Sequence, residues 1–174
     1  MAAKPDDSLA GQIAILRTNL SQEELLKKTY NELLTEAFDR DGDSLVCISI
    51  CSADYKPKSI PEIVARPTPE EVRQYVEENN DPVMRFHQKP KGNIGGAKLV
   101  DVIENGRPED KSSLGYTMLL KYPEPDMSVA ITYGAAVSNQ LIEVALITAR
   151  DLGIKNVYAY SRPGGLATYL ALQK

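Results

Sequence analysis

Apolar residues along this chain recur at two periods, and each switch between them marks a change from strand to helix or back. Gln12 to Thr18 (QIAILRT) is a short apolar run and predicts a strand. Ser21 with Glu24 forms a capping box, and Leu20 and Leu25 stand as a hydrophobic staple across it. Leu26, Tyr30, Leu33, Leu34 and Ala37 continue at helical spacing, which predicts one helix stopped by Asp41-Gly42. Ser44 to Ile50 (SLVCISI) then reads as a buried strand.

A proline-punctuated connection from Lys56 to Pro67 leads to a second capping box, Thr68 with Glu71, with proline at the first helical position. Val72, Tyr75 and Val76 give that helix its apolar side, and Asn79 to Pro82 stops it. A short apolar turn carries Phe86 and His87. The loop Lys91 to Gly96 precedes a strand over Ala97 to Ile103, and Asn105-Gly106 turns the chain toward a return strand over Tyr116 to Tyr122. Beyond Pro123 and Pro125, Ser128 to Tyr133 predicts a strand, Ser138 to Leu152 a helix capped by Gly153, and Asn156 to Tyr160 the last strand. Arg162 to Gly165 turns into a short closing helix.

Alternating helices and strands predict an α/β fold, a mixed sheet with helices on both faces. The order strand, capped helix, glycine stop, strand, serine occurs at Gln12 to Ser49 and again at Ser128 to Ser161. This is either a repeated β-α-β unit or the recurrence of ordinary β-α-β architecture. The expectation is a single domain over residues 1–174, with 12–122 as its main half and 126–174 as a partial repeat.

Composition narrows the classes. A formal charge of −4 and a pI near 5.1 argue against a general nucleic-acid binder. Lys89, Lys91 and Lys98, beside the glycine loop, are the candidate phosphate-binding cluster, or else solvated lysines. No apolar run approaches the roughly 18 residues that span a bilayer, and Met1 to Asp7 lacks the pattern of a secretory signal. Cys47 and Cys51 stand about 13 Å apart on a strand, too far to bridge, and read as reduced thiols. A cytoplasmic, metal-free protein is expected, since a single histidine gives little scope for a His/Cys metal site.

Three stretches taken together carry a family resemblance: Asp81-Pro82-Val83-Met84-Arg85-Phe86-His87, Gly96-Ala97-Lys98-Leu99-Val100, and Arg107-Pro108-Glu109-Asp110 leading to Leu114-Gly115-Tyr116. They resemble the GNAT acetyltransferase superfamily, within it the acetyltransferase-like loading domains of polyketide synthases. Ala149 to Arg162 looks like that superfamily's cofactor-side helix and following strand. The resemblance implies a coenzyme A thioester, acetyl-CoA or malonyl-CoA, as acyl donor, and an amine or an acyl carrier protein thiol as acceptor. It implies catalytic positions at His87, Ser49 and Arg107. Imidazole holds or moves a proton, a hydroxyl hydrogen-bonds an acyl oxygen, and a guanidinium clamps carboxylate or phosphate.

The bare residues leave other readings open. Arg107 can pair with Glu109 or Asp110 at a turn, and Ser49 can be a satisfied core hydroxyl. Ser161, Arg162, Gly164 and Gly165 either present donors to the cofactor's phosphates or simply cap a loop. The superfamily's glycine-rich pyrophosphate loop has no counterpart between Ile15 and Ser21, and Gly134-Ala135-Ala136 stands before the later helix. That departure motivates a second reading, a catalytically silent module that binds a partner. The truncated architecture predicts a homodimer, or docking to a neighbouring domain.

Overall fold

The computed structural model describes residues 2–3, 9–52, 66–78, 81–91 and 93–172. The N-terminal stretch, most of the proline-punctuated connection and Asn79-Asn80 lie outside the described residues. The elements run β1 (Ala2–Ala3), β2 (Leu9–Thr18), α1 (Gln22–Leu25), α2 (Tyr30–Glu36), β3 (Ser44–Ser52), α3 (Pro69–Glu77) and α4 (Pro82–Gln88). They continue β4 (Lys98–Ile103), β5 (Thr117–Lys121), α5 (Val137–Asp151), β6 (Asn156–Ser161) and α6 (Leu166–Leu172).

The strands form one mixed sheet in the order β1-β2-β3-β6-β5-β4. Every neighbouring pair is antiparallel except β3 and β6, which are parallel. The strict alternation of the central strands explains why both faces are covered. Leu45, Cys47, Met118, Leu120, Val157 and Ala159 point to one face, where they meet Val72 of α3, Met84 of α4, Ile142 of α5 and Leu166 of α6. Val46, Ile48, Leu119, Tyr158 and Tyr160 point to the other, against Leu25 of α1 and Leu33 of α2. The fold is thus α/β with a mixed sheet and helices on both faces, and no helix among the described residues is long and apolar enough to cross a membrane.

Three expected elements differ. The single helix after Ser21 is two short helices, because Thr29 with Glu32 forms a second capping box that restarts the backbone. The apolar turn bearing His87 is the helix α4, capped by Asp81, which accepts from the Met84 amide at 2.7 Å. The strand expected at Ser128 to Tyr133 does not form. Side chains of α5 satisfy that backbone instead: Arg150 donates to the Val129 carbonyl, Gln140 to the Thr132 carbonyl, and Glu143 accepts from the Thr132 amide. The second copy of the β-α-β unit therefore lacks its first strand. In the first copy the two strands are antiparallel neighbours. The two closing strands, β3 and β6, lie side by side.

Candidate functional site

The β3–β6 ladder is paired from Ser44–Asn156 to Cys47–Ala159 and goes no further. Against β2, the register passes from Ala14–Ser49 to Ile15–Cys47, so β3 carries one extra residue, Ile48. Such a bulge bends its strand and re-aims the side chains that follow. Where the next ladder bonds would lie, Arg107 Nη2 donates to the carbonyls of Ile48 (3.0 Å) and Tyr160 (3.1 Å). One guanidinium thus wedges the C-terminal ends of the parallel pair apart. Its Cζ lies over the Tyr30 ring, 3.8 Å from the centroid.

A cavity of about 430 Å³ opens at that divergence, within the range of small-molecule sites. Its position outside the carboxyl ends of parallel strands is where open α/β sheets bind ligands. β3 lines it with Ile48, Ser49 and Ile50, and β6 with Tyr160 and Ser161, followed by Arg162. α4 contributes Phe86 and His87, α5 contributes Ser138, and Arg107 completes the wall. Ser49, His87, Arg107, Ser161 and Arg162, spread over more than a hundred residues of sequence, are therefore brought together. Gly164 and Gly165 are not among the lining residues. The Gly164 carbonyl accepts from Tyr75 Oη at 2.8 Å, and its Cα faces Val83, so this turn packs α6 against α3 and α4.

His87 is buried, 1% exposed. Its Nδ1 lies 2.6 Å from Tyr122 Oη, and its Nε2 lies 3.0 Å from Ser161 Oγ. Burial, reinforced by the nearby Lys91 charge, lowers its pKa from 6.5 to about 3, so the ring is neutral. Burial likewise holds the Tyr122 phenol well above its usual range, so it stays protonated. Burial also lowers the Arg107 pKa, and the guanidinium remains a cation. Of the two turn carboxylates open to Arg107, Asp110 pairs with Arg162 at 3.3 Å.

The basic cluster does not stay together. Lys89 and Lys98 are exposed, whereas Lys91 is fully buried. Its ammonium donates to the Phe86 carbonyl (2.6 Å) and Asn139 Oδ1 (3.1 Å) and lies over the Phe86 ring. It therefore caps the C-terminus of α4 and ties that helix to the first turn of α5. Burial brings its pKa down to about 8.

The Tyr122 partner, the wedge and the inward Lys91 escaped the sequence reading. Tyr122 is legible there only as the end of a strand, and the register skip at Ile48 leaves no mark in the composition of β3. No protein-family model matches this chain, and no curated protein matches it.

Proposed function

We propose that the cavity binds the acyl end of a coenzyme A thioester and that the chain is an acyl-CoA-dependent acyltransferase. It would move an acetyl group, taken directly or derived from malonyl, to an amine or to an acyl carrier protein thiol. The observation that carries this reading is the convergence of two serine hydroxyls, a neutral histidine and a cationic guanidinium at one gap between parallel strands.

These groups suit acyl chemistry. Loss of CO₂ from a malonyl thioester breaks the C–C bond to the carboxylate and sends its electron pair into the thioester, leaving an enolate oxygen. Ser161 and the Arg107 charge stand in the cavity wall to stabilise that oxygen. The carbanion then takes a proton from water in the cavity to give the acetyl thioester, and the hydroxide left behind is neutralised by the released CO₂. Attack by the acceptor on the thioester carbonyl expels the CoA thiolate, which takes up the proton the acceptor's N–H or S–H gives up and leaves as the thiol. His87, neutral and held at both nitrogens, orients Ser161 and does not supply an imidazolium proton. The cofactor's phosphates are accommodated by the N-terminus of α5, which has no side-chain cap and brings Ser138 to the cavity. Gly164 and Gly165 do not line the cavity.

The test is turnover of acetyl-CoA and malonyl-CoA, followed by release of CoA thiol with an amine or a carrier protein present. Ser161→Ala and His87→Ala should lower the rate at least tenfold while circular dichroism is unchanged; equal rates would sink the assignment. The second reading, a silent partner-binding module, is favoured by the use of Arg107 Nη2 on backbone carbonyls. It requires no CoA affinity. Self-association along the sheet's outer strand is part of the proposal, and a monomer at every concentration in light scattering would exclude it.

A further inference from the structure

We propose that Tyr122 is a positioning residue that fixes His87 as the Nε2–H tautomer and thereby aims the Ser161 hydroxyl proton into the cavity. The site then takes a ligand that presents an acceptor oxygen, a thioester carbonyl or a carboxylate, and Ser161 is a hydrogen-bond donor rather than a nucleophile. The ligand class rests on the acyl-CoA reading; the tautomer does not.

Proton counting carries the argument. Tyr122 Oη, His87 and Ser161 Oγ form a line, with contacts of 2.6 Å and 3.0 Å at the two ring nitrogens. A neutral imidazole has one N–H, so the line has two possible directions. In the first, Nδ1–H donates to the phenol oxygen and the serine donates to Nε2. The phenol proton, in a side chain only 1% exposed, is then left without an oxygen or nitrogen acceptor among the described residues, with only the nearby Cys47 sulfur, a weak acceptor, to meet it. In the second, the phenol donates to Nδ1, Nε2–H donates to Ser161 Oγ, and the serine proton is released toward the cavity. Ser161 lines that cavity, so water or ligand can accept the proton there. Every buried proton is satisfied in the second direction, and the orphaned phenol of the first disfavours it by roughly tenfold.

Burial first of all keeps the ring neutral, as either direction requires. Lys91 on the loop after α4 opposes a second positive charge, and Tyr122, which faces the ring from the end of β5, remains a neutral phenol. Phe86 lies edge-on at 4.9 Å between centroids and offers no counter-charge. A serine whose base already holds a proton on the facing nitrogen has nothing to take its own. Acyl transfer through Ser161 would need the opposite tautomer.

The chain contains one histidine, so ¹⁵N-histidine labelling gives an unambiguous spectrum. Long-range ¹H–¹⁵N correlation of the full chain should show the Nε2–H pattern, unchanged from pH 5 to pH 8. An Nδ1–H pattern, or an imidazolium titrating near 6.5, would overturn the relay. Tyr122→Phe should move the Nδ1 resonance toward the value of a nitrogen with no donor; an unmoved resonance would overturn it as well. In the same variant the preference for acetyl-CoA over CoA should shrink by roughly three- to tenfold, the worth of one hydrogen bond to the carbonyl. An acetyl adduct on Ser161 after incubation with acetyl-CoA would also overturn the proposal. Wild-type protein that binds neither compound would refute the acyl-CoA reading alone, with the tautomer still deciding the relay.

Discussion

Buried titratable side chains give this site a marked pH signature. His87 binds its proton in the unfolded chain near pH 6.5 but in the folded chain only near pH 3. Between those values the unfolded state holds the extra proton, so stability from this residue is full above 6.5 and falls as pH drops toward 3. The slope is at most about 1.4 kcal/mol per pH unit. Asp81 acts in the opposite sense: burial raises its pKa from 3.8 to about 6, so its contribution falls as pH rises through that window. The two oppose one another between pH 4 and 6, and a comparison of wild type with His87→Gln isolates the first. We expect the variant to lose stability less steeply than wild type as pH falls from 6.5 to 4.5, measured by urea unfolding. Parallel curves would mean that His87 is protonated in the folded state.

At the scale of elements, local chemistry and long-range geometry divide the work. Thr29 and Thr68 each accept from the amide three residues on and are answered by a glutamate, so each helix start is set by a four-residue code. Thr68→Ala should cost about 1 kcal/mol, and Thr68→Ser much less, in thermal or urea unfolding. The code at Thr68 is legible in the sequence, as are the apolar strands β2, β3 and β6 and the paired β4 and β5, whereas the code at Thr29 is hidden inside a run whose helical spacing continues across it. The strand expected at Ser128 to Tyr133 does not form because, of its apolar residues, only Val129 is buried in the core, Tyr133 stands exposed, and Gln140, Glu143 and Arg150 of α5 replace a sheet partner. The site was half legible. Motif residues named Ser49, His87 and Arg107, but the local pattern cannot register that Ile48 is skipped by β2 or that Arg107 reaches two carbonyls across β3 and β6. That bridge makes a further prediction. Arg107→Met orphans the Ile48 and Tyr160 carbonyls and should destabilise the fold by roughly 2–4 kcal/mol. Arg107→Lys should recover only part of this, since a lysine ammonium does not both bridge the pair and stack on Tyr30. An Arg107→Met protein as stable as wild type would show that the strands part without the wedge.

Across the whole molecule, two apolar clusters grip the sheet from either side and leave its one parallel junction open at the carboxyl ends. Rigid strands thus hold Ser49 and Ser161, while α4, stapled by Lys91 to α5, brings His87 across to them. This gap, walled by a cation and hydroxyl donors, and the uncapped end of α5 beside it are what the proposed acyl-CoA reading rests on. Calorimetric titration of the full chain with CoA, acetyl-CoA and malonyl-CoA tests this account most directly. It predicts saturable binding near ~10 μM, about −7 kcal/mol, tighter for the acylated forms than for CoA and weakened by Ser161→Ala. Absence of heat with all three, together with no thermal shift, would contradict it.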